Sequence, residues 1–215
     1  MPYLTSVNVA CGGHAGDATS MSATVAQAKR WGLGIGAHPS YPDRLNFGRV
    51  AMEMSAEAIA ASVFAQVTAL AEIAAREGVT VGHVKPHGAL YNSAAGDAVI
   101  ARAIADGVSR WRRDVVLVGL AGSQMLEVFR EAGFPVAAEI FADRRYEADG
   151  TLRSRKFANA LITDPAVAAE QVFRMVEKAD TICVHGDTAG ALAIAAEVSG
   201  VLKLHGVALR ALAVK

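Results

Sequence analysis

Histidines stand where the apolar runs of this chain end. The five that do so are His14, His38, His83, His87 and His185, whereas His205 lies elsewhere. Imidazole gains and loses a proton near neutral pH, so a histidine serves as general acid, general base or metal ligand. Histidines that only fill turns or a core would not follow the run ends so closely. The pattern therefore predicts an active site formed where these runs end.

Charged side chains accompany the histidines and could neutralise an anionic group. Lys85 and Arg144 suit a carboxylate or phosphate and stabilise a developing oxyanion. We favour this charge role for Lys85 over the alternative, a Schiff-base nucleophile. His87 and His185 are the candidates for general acid and general base.

Carboxylates and neutral polar groups complete the predicted site. Asp187 and Asp17 either orient the histidines or act as the base themselves, so the catalytic set is Lys85, His87, His185 and Asp187. The remaining candidates would bind the substrate: Asn8, His14, Asp17, His38, Tyr91, Asp143 and Arg144.

Some polar residues also have a plain structural interpretation. His83 comes earliest in its run, which favours a buried hydrogen-bonded role. Cys11 and Cys183 are far apart in no CxxC pattern and are expected to be core residues. His14 and His38 are the candidate ligands if a divalent metal is bound, although no HxH or HExxH spacing supports one.

Short apolar runs alternate with helical patterns along the chain. The expected strands are Thr5–Ala10, Leu33–Ala37, Val79–Lys85, Val115–Gly119, Val136–Ala142 and Thr181–His185, with a further short one at Asn159–Thr163. One helix is expected from Thr19 to Trp31, before Gly32. Ser55 and Asp164 are expected to cap two more, the first of which ends at Gly78.

This alternation predicts an α/β fold with parallel strands, and we favour a β/α barrel. An open doubly wound sheet is the alternative, but its GxGxxG fingerprint is absent after the first strand. The glycines from Gly32 to Gly36 indicate close packing instead.

The amino-acid composition bears on the number of domains, the class of partner and the cellular location. The chain has 215 residues, 53% of them hydrophobic, which predicts one domain over residues 1–215 with a large core. Lysine plus arginine equals aspartate plus glutamate at 21 each, so charge favours neither nucleic acid nor a membrane as partner. The start shows no leader pattern and no apolar run suggests a membrane span, so a cytoplasmic location is expected.

Five blocks, in order over essentially the whole chain, resemble the LamB/YcsF family. They begin with Asn8–Asp17 (NVACGGHAGD) and Gly36–Asp43 with Phe47–Arg49. The most specific is His83–Asn92 (HVKPHGALYN), and the last two are Phe141–Arg144 and Asp180–Asp187.

The resemblance implies a seven-stranded β/α barrel, similar to glycoside hydrolases and polysaccharide deacetylases, and a part in ATP-dependent 5-oxoprolinase. That enzyme would open 5-oxo-L-proline to L-glutamate together with subunits B and C, with ATP bound and used by those partners. The alternatives are a metal-dependent amidohydrolase acting alone and a non-catalytic subunit that binds the lactam.

Two departures from the family pattern affect these expectations. An upstream strand with a DLNxDLGE-type motif is missing, so an unpaired edge is expected beside the Thr5–Ala10 strand, open to another chain or a second copy. A short family insertion before Ala179 is missing as well.

Overall fold

The computed structural model describes residues 2–212, which divide into two compact units. The larger unit comprises residues 5–137 with 211–212, and the smaller one comprises residues 2–4 with 138–210.

The larger unit alternates parallel strands with helices. Its strands are β1 (Ser6–Ala10), β2 (Gly34–His38), β3 (Val81–Val84) and β4 (Val116–Leu120). Its helices are α1 (Ala18–Arg30), α2 (Ala56–Arg76), α3 (Gly88–Gly96), α4 (Ala98–Ser109) and α5 (Gln124–Glu131). Strands adjacent in sequence are adjacent in space, in the order β1-β2-β3-β4, and all three pairs are parallel. This order matches the predicted β/α class and lacks the reversal of a doubly wound sheet.

β1 lies at one end of this strand order. Within residues 5–137 and 211–212, it pairs with β2 alone, in the register Ser6 to Gly34 through Ala10 to His38. The free edge predicted beside β1 is therefore present in the described part of the larger unit.

Helix α2 is the longest helix and forms part of the core. Ser55 caps it through a hydrogen bond from the Ala58 amide, and Gly78 follows its end with φ of 72°, as predicted. By length and composition it could cross a membrane, which the sequence-based expectation had not allowed for. Its buried face, from Ile59 to Ala74, instead packs within the unit against α4, α1, β2 and β3. A core helix of this kind passes the same composition test.

Gly36 shows why glycines recur in β2. A Cβ atom built there would stand 2.0 Å from Nε2 of His83 on the neighbouring β3. Only a residue without a side chain leaves room for that imidazole, so the predicted close packing is confirmed at this position.

The smaller unit contains β5 (Val136–Phe141) for most of its length, β6 (Thr181–Cys183), α6 (Pro165–Met175) and α7 (Ala191–Leu204). β5 and β6 are parallel, and α6 packs on α7. Asp164 caps α6 and Pro165 is in its first turn, as predicted. The predicted short strand at Asn159–Thr163 is only a single bridge, between Leu161 and Arg144.

Three strands end earlier than expected: β5 by one residue, at Phe141, and the two strands that precede the catalytic candidates. β3 ends at Val84 because Pro86 has no amide to continue a ladder, and His87 becomes the N-cap residue of α3. β6 ends at Cys183, so His185 lies in the following turn. The catalytic candidates of both regions are therefore loop residues placed directly after strands.

Candidate active site

Three histidines of the larger unit form a compact group, the histidine cluster, made of His14, His38 and His87. The rings of His14 and His87 are stacked, with centroids 3.7 Å apart and planes 10° from parallel. The ring of His38 meets both edge-on, at 5.6 Å from His14 and 4.8 Å from His87. Three separate segments, at the ends of β1, β2 and β3, thus deliver one imidazole each to the same place.

Backbone carbonyls hold two of the rings in the cluster. Nδ1 of His38 lies 2.6 Å from the Lys85 carbonyl, and Nε2 of His87 lies 2.9 Å from the Phe47 carbonyl. The rings also contact each other, with Nε2 of His38 3.1 Å from Nδ1 of His87. All four ring nitrogens of this pair are therefore engaged.

His14 differs from its two neighbours because one of its nitrogens has no partner. Its Nδ1 is buried without a hydrogen-bond partner among residues 2–212, and the whole residue is only 4% exposed. A buried polar atom left unpaired costs free energy, and a ligand that bonds it would recover that cost.

The loop after β2 closes over the cluster. Phe47 adopts φ of 55° and its ring meets His14 and His87 edge-on. At Gly48, a Cβ atom would stand 2.9 Å from Cβ of His14, so this position also has no room for a side chain. Arg44 fixes the loop by donating from Nη1 to the carbonyls of Gly12 and Gly16, both at 2.9 Å.

Burial and cations act together to keep His14 neutral. Burial, with the positive charges of Arg49 and Arg44, lowers the pKa of His14 to about 4. Burial and Lys85 lower the pKa of His38, and burial, His14 and Arg49 act in the same direction on the pKa of His87. Burial is the largest cause for each ring, and nearby cations act in the same direction.

Lys85 is buried beside the cluster. It is 4% exposed, its amide donates to the Ala37 carbonyl, and its ammonium lies 5.8 Å from the ring centre of Tyr91, which is also buried. An ammonium removed from water in this way gives a strong local field for an anion. The charge role of Lys85 stays a prediction.

His83 and Asn8 form a buried pair next to this region. Nε2 of His83 lies 2.9 Å from Oδ1 of Asn8, and burial lowers the pKa of His83 to about 4. The buried role predicted for His83 is confirmed, and Asn8 holds its ring. Asp17, by contrast, caps α1: it accepts the Ser20 amide at 2.8 Å in a capping box.

The smaller unit contains an aspartate–histidine pair. Asp143 is 0% exposed and lies 2.9 Å from Nδ1 of His185. It also accepts the His185 amide and the Thr188 hydroxyl. Burial raises the pKa of Asp143, but the bonds from His185 and Thr188 outweigh it, so its pKa lies below the ordinary value.

This arrangement leaves the outer nitrogen of His185 available for proton transfer. A carboxylate on Nδ1 fixes the tautomer and orients Nε2 outward, as in other carboxylate–histidine pairs. The side chain of His185 is 19% exposed, and its ring is stacked on that of Phe141, with centroids 5.5 Å apart.

The carboxylate bonded to Nδ1 of His185 is Asp143, rather than Asp17 or Asp187, the two predicted either to orient the catalytic histidines or to act as the base. Asp187 is exposed, whereas the ring bond of His185 goes to Asp143, just beyond β5. Arg144 is buried and donates to the Arg153 carbonyl at 2.6 Å. The role of Asp143 had been assigned as substrate binding, and its contacts show that it orients His185.

The metal considered for His14 and His38 stays untested. Across residues 2–212, no group of three or more His, Cys, Asp or Glu side chains is arranged to hold one. His38, one of the two candidate ligands, already uses both ring nitrogens in hydrogen bonds.

Four residues near these sites were missed as site residues from sequence: Phe47, Gly48, Gln66 and Thr188. Gln66 holds the loop after β2 by accepting the Ser40 amide at 3.0 Å and donating to its carbonyl at 2.8 Å. Phe47 and Gly48 belong to the sequence block Phe47–Arg49, so their neighbourhood could have been identified from sequence. Gln66 lies in the middle of α2, where no sequence motif marks it as a site residue.

Known proteins resemble this chain over nearly its whole length. The LamB/YcsF family matches residues 1–215. The 5-oxoprolinase A subunit of Chloroflexus aggregans is 49% identical over 224 positions, covering 98% of this chain and 89% of that protein. The corresponding protein of Shouchella clausii, of the same name, is 45% identical with the same coverage. A lactam utilization protein from Thermus thermophilus has a structure with TM-score 0.90 at 38% identity, covering 98% of this chain and 90% of the other.

Proposed function

This chain belongs to the LamB/YcsF family, and on that premise we propose that it is the A subunit of an ATP-dependent 5-oxoprolinase. The reaction is the opening of 5-oxo-L-proline to L-glutamate, in which water adds to the lactam carbon and the carbon–nitrogen bond breaks. Relatives that carry this subunit name and a lactam utilization protein of the same fold support the proposal.

The catalytic role in this proposal rests on the buried Asp143–His185 pair. A histidine held by a buried carboxylate through Nδ1 is suited to remove a proton from water at Nε2. We therefore assign His185 as general base and Asp143 as the residue that orients it.

Residues of the larger unit are assigned two further roles, the balancing of charge and a second acid–base function. Lys85 balances the negative charge of the substrate carboxylate or of an activating phosphate. His87 is the candidate for the acid that protonates the leaving nitrogen, and His14 offers its unpaired Nδ1 to the ligand.

The need for partners follows from the chemistry of the lactam. An unactivated lactam is a poor electrophile, and this chain has no GxxxxGKS or GxxxxGKT sequence to bind a triphosphate. We propose that subunits B and C bind ATP and transfer its phosphate to the lactam carbonyl, after which this chain assists ring opening in the cytoplasm.

Reconstitution of the complex from purified subunits tests the proposed function. The purified chain, mixed with ATP, magnesium and 5-oxoproline, should form neither glutamate nor phosphate, and adding subunits B and C should start both together. Glutamate formation by the chain alone, together with stoichiometric metal in the purified protein, would instead support a stand-alone amidohydrolase. Full activity of the complex when this chain carries His185→Asn would support a lactam-binding role without catalysis.

A further inference from the structure

The backbone around Asp143 is held on both sides. The side-chain amide of Gln171, on α6, donates to the carbonyls of Phe141 and Arg144, at 2.8 Å and 2.9 Å. The carbonyl of Asp143 itself accepts the Ile162 amide at 3.0 Å. Because these bonds fix the main chain, the freedom that remains to Asp143 is rotation of its carboxylate about the side-chain bonds.

The rotation of this carboxylate determines how firmly Asp143 orients His185. Nδ1 of His185 lies 2.9 Å from Oδ1 and 3.1 Å from Oδ2, so the ring nitrogen is nearly equidistant from the two oxygens. The His185 amide lies 3.1 Å from Oδ2. With His185 as its sole partner, the carboxylate would turn together with the ring that it has to orient. A firm orientation therefore requires a further donor to the carboxylate.

Thr188 supplies that donor. Its hydroxyl donates to Oδ2 of Asp143, since an ionised carboxylate only accepts hydrogen bonds. Thr188 is 5% exposed, so water competes little for the hydroxyl. The Thr188 amide donates to the His185 carbonyl at 3.2 Å, which places both residues in one turn. Asp143 is therefore bonded to both ends of the turn that contains His185.

We propose that Thr188 is a positioning residue for the ring opening: its hydroxyl fixes the rotation of the Asp143 carboxylate, and the carboxylate in turn fixes the ring of His185. Hydrogen bonds to a charged group are stronger than those between neutral groups, and burial strengthens them further. The β-branched threonine side chain also has a restricted χ1 rotation, which keeps the hydroxyl directed at Asp143. This role rests on the proposed function, which assigns His185 as general base.

The first measurement requires no enzyme activity. In protein with ¹⁵N-labelled histidine, magnetisation transfer from water gives the rate at which the Nδ1 proton of His185 exchanges, and His185→Asn identifies the signal by its loss. Thr188→Val keeps the shape of the side chain and removes the hydroxyl. We expect exchange at least about tenfold faster in Thr188→Val, the effect of losing a hydrogen bond to a charged group. Thr188→Ser, which keeps the hydroxyl, should exchange like the original protein.

The second measurement is glutamate formation by the reconstituted complex. Thr188→Val should lower kcat about ten- to a hundredfold, the range for residues that orient a functional side chain from behind. KM should change little, because Thr188 acts through Asp143, and Thr188→Ser should recover most of kcat. Thr151→Val is the matched control, since the Thr151 hydroxyl also donates to a carboxylate, that of the exposed Asp149. This control should leave both measurements unchanged.

The comparison separates the hydroxyl of Thr188 from its methyl group. If Thr188→Val retains the exchange rate and kcat of the original protein while Thr188→Ser loses them, Thr188 is a packing residue and the proposal is overturned. Exchange that depends on the hydroxyl without any change in kcat would overturn it as well. Thr188→Ser and Thr188→Ala form a second pair that differs in the hydroxyl, and they replace Thr188→Val if thermal melting shows that it does not fold.

These outcomes are separable from the proposed function. If the complex with the original protein forms glutamate and Thr188→Val matches its kcat, the positioning role is wrong and the proposed function stands. If exchange depends on the hydroxyl but no complex forms glutamate, including that with the original protein, the proposed function is the part that fails.

Discussion

At the scale of single residues, the most consequential contact is that between Asp143 and His185. Asp17 and Asp187 had been predicted either to orient the catalytic histidines or to act as the base, and Asp143 had been predicted to bind the substrate. The actual partner is 42 residues away and is buried, which makes the pair more rigid than a partner on an exposed turn would.

Replacing Asp143 by Asn should lower kcat of the reconstituted complex by about 10³–10⁴-fold, because the amide cannot hold the required tautomer. Asp114→Asn, at an exposed aspartate, is the matched control. An Asp143 variant that is folded by thermal melting and retains the kcat of the original protein would contradict the orienting role.

Lys85→Ala and His87→Ala should each reduce glutamate formation at least about a hundredfold, the usual range for loss of a charged or acid–base group. The effect should come with little change in the far-ultraviolet circular dichroism. His205→Ala, at an exposed histidine of the smaller unit, serves as control. Near-normal turnover in both variants would show that the site is misplaced.

At the scale of secondary-structure elements, the loops directly after strands contain the candidate catalytic residues. Close packing at glycines determines the backbone path of these loops. Gly48 is the clearest example, because its φ of 65° and the nearness of His14 both exclude a side chain.

Gly48→Ala should therefore displace the stacked rings of His14 and His87 and reduce activity strongly, with destabilisation of about 1–3 kcal/mol from strain and overpacking. Gly200→Ala, in the interior of α7 with open space around its Cβ, is the matched control and should be neutral or stabilising. Urea unfolding and turnover measure the two effects. Equal behaviour of the two variants would argue against a tightly packed loop.

Much of this element-level picture was predictable from sequence. Caps such as Ser55 and Asp164 act through local hydrogen bonds, so their residue types alone placed the helix starts correctly. The partner of His185 and the Ser40–Gln66 contact were not predictable, because they join segments far apart in the chain. Strand ends at Val84 and Cys183 were placed about one to two residues late, since sequence pattern does not mark the last ladder bond.

At the scale of the whole molecule, buried neutral histidines link stability to pH. His14 and His83 have pKa values of about 4 in the folded protein against 6.5 when unfolded. The unfolded chain therefore binds more protons below pH 6.5, and stability falls as pH decreases from there toward 4.

We expect the free energy of unfolding to be independent of these two groups above about pH 6.5 and to decrease below it, by up to about 1.4 kcal/mol per pH unit for each histidine. Urea unfolding at intervals from about pH 7.5 to about pH 4.5 measures the slope. His83→Asn should make the slope shallower. An equal slope in the two proteins would show that His83 does not remain neutral on folding.

The placement of the two thiols has a practical consequence for labelling. Cys11 and Cys183 are both buried, and burial raises the pKa of Cys11 to about 12, so its reactive thiolate form is scarce at neutral pH. A cysteine introduced at Leu45, which is 94% exposed, would then be the preferred target of a thiol-directed fluorophore or crosslinker. The native cysteines can stay in place, and assembly with other subunits can be followed from a single attached probe.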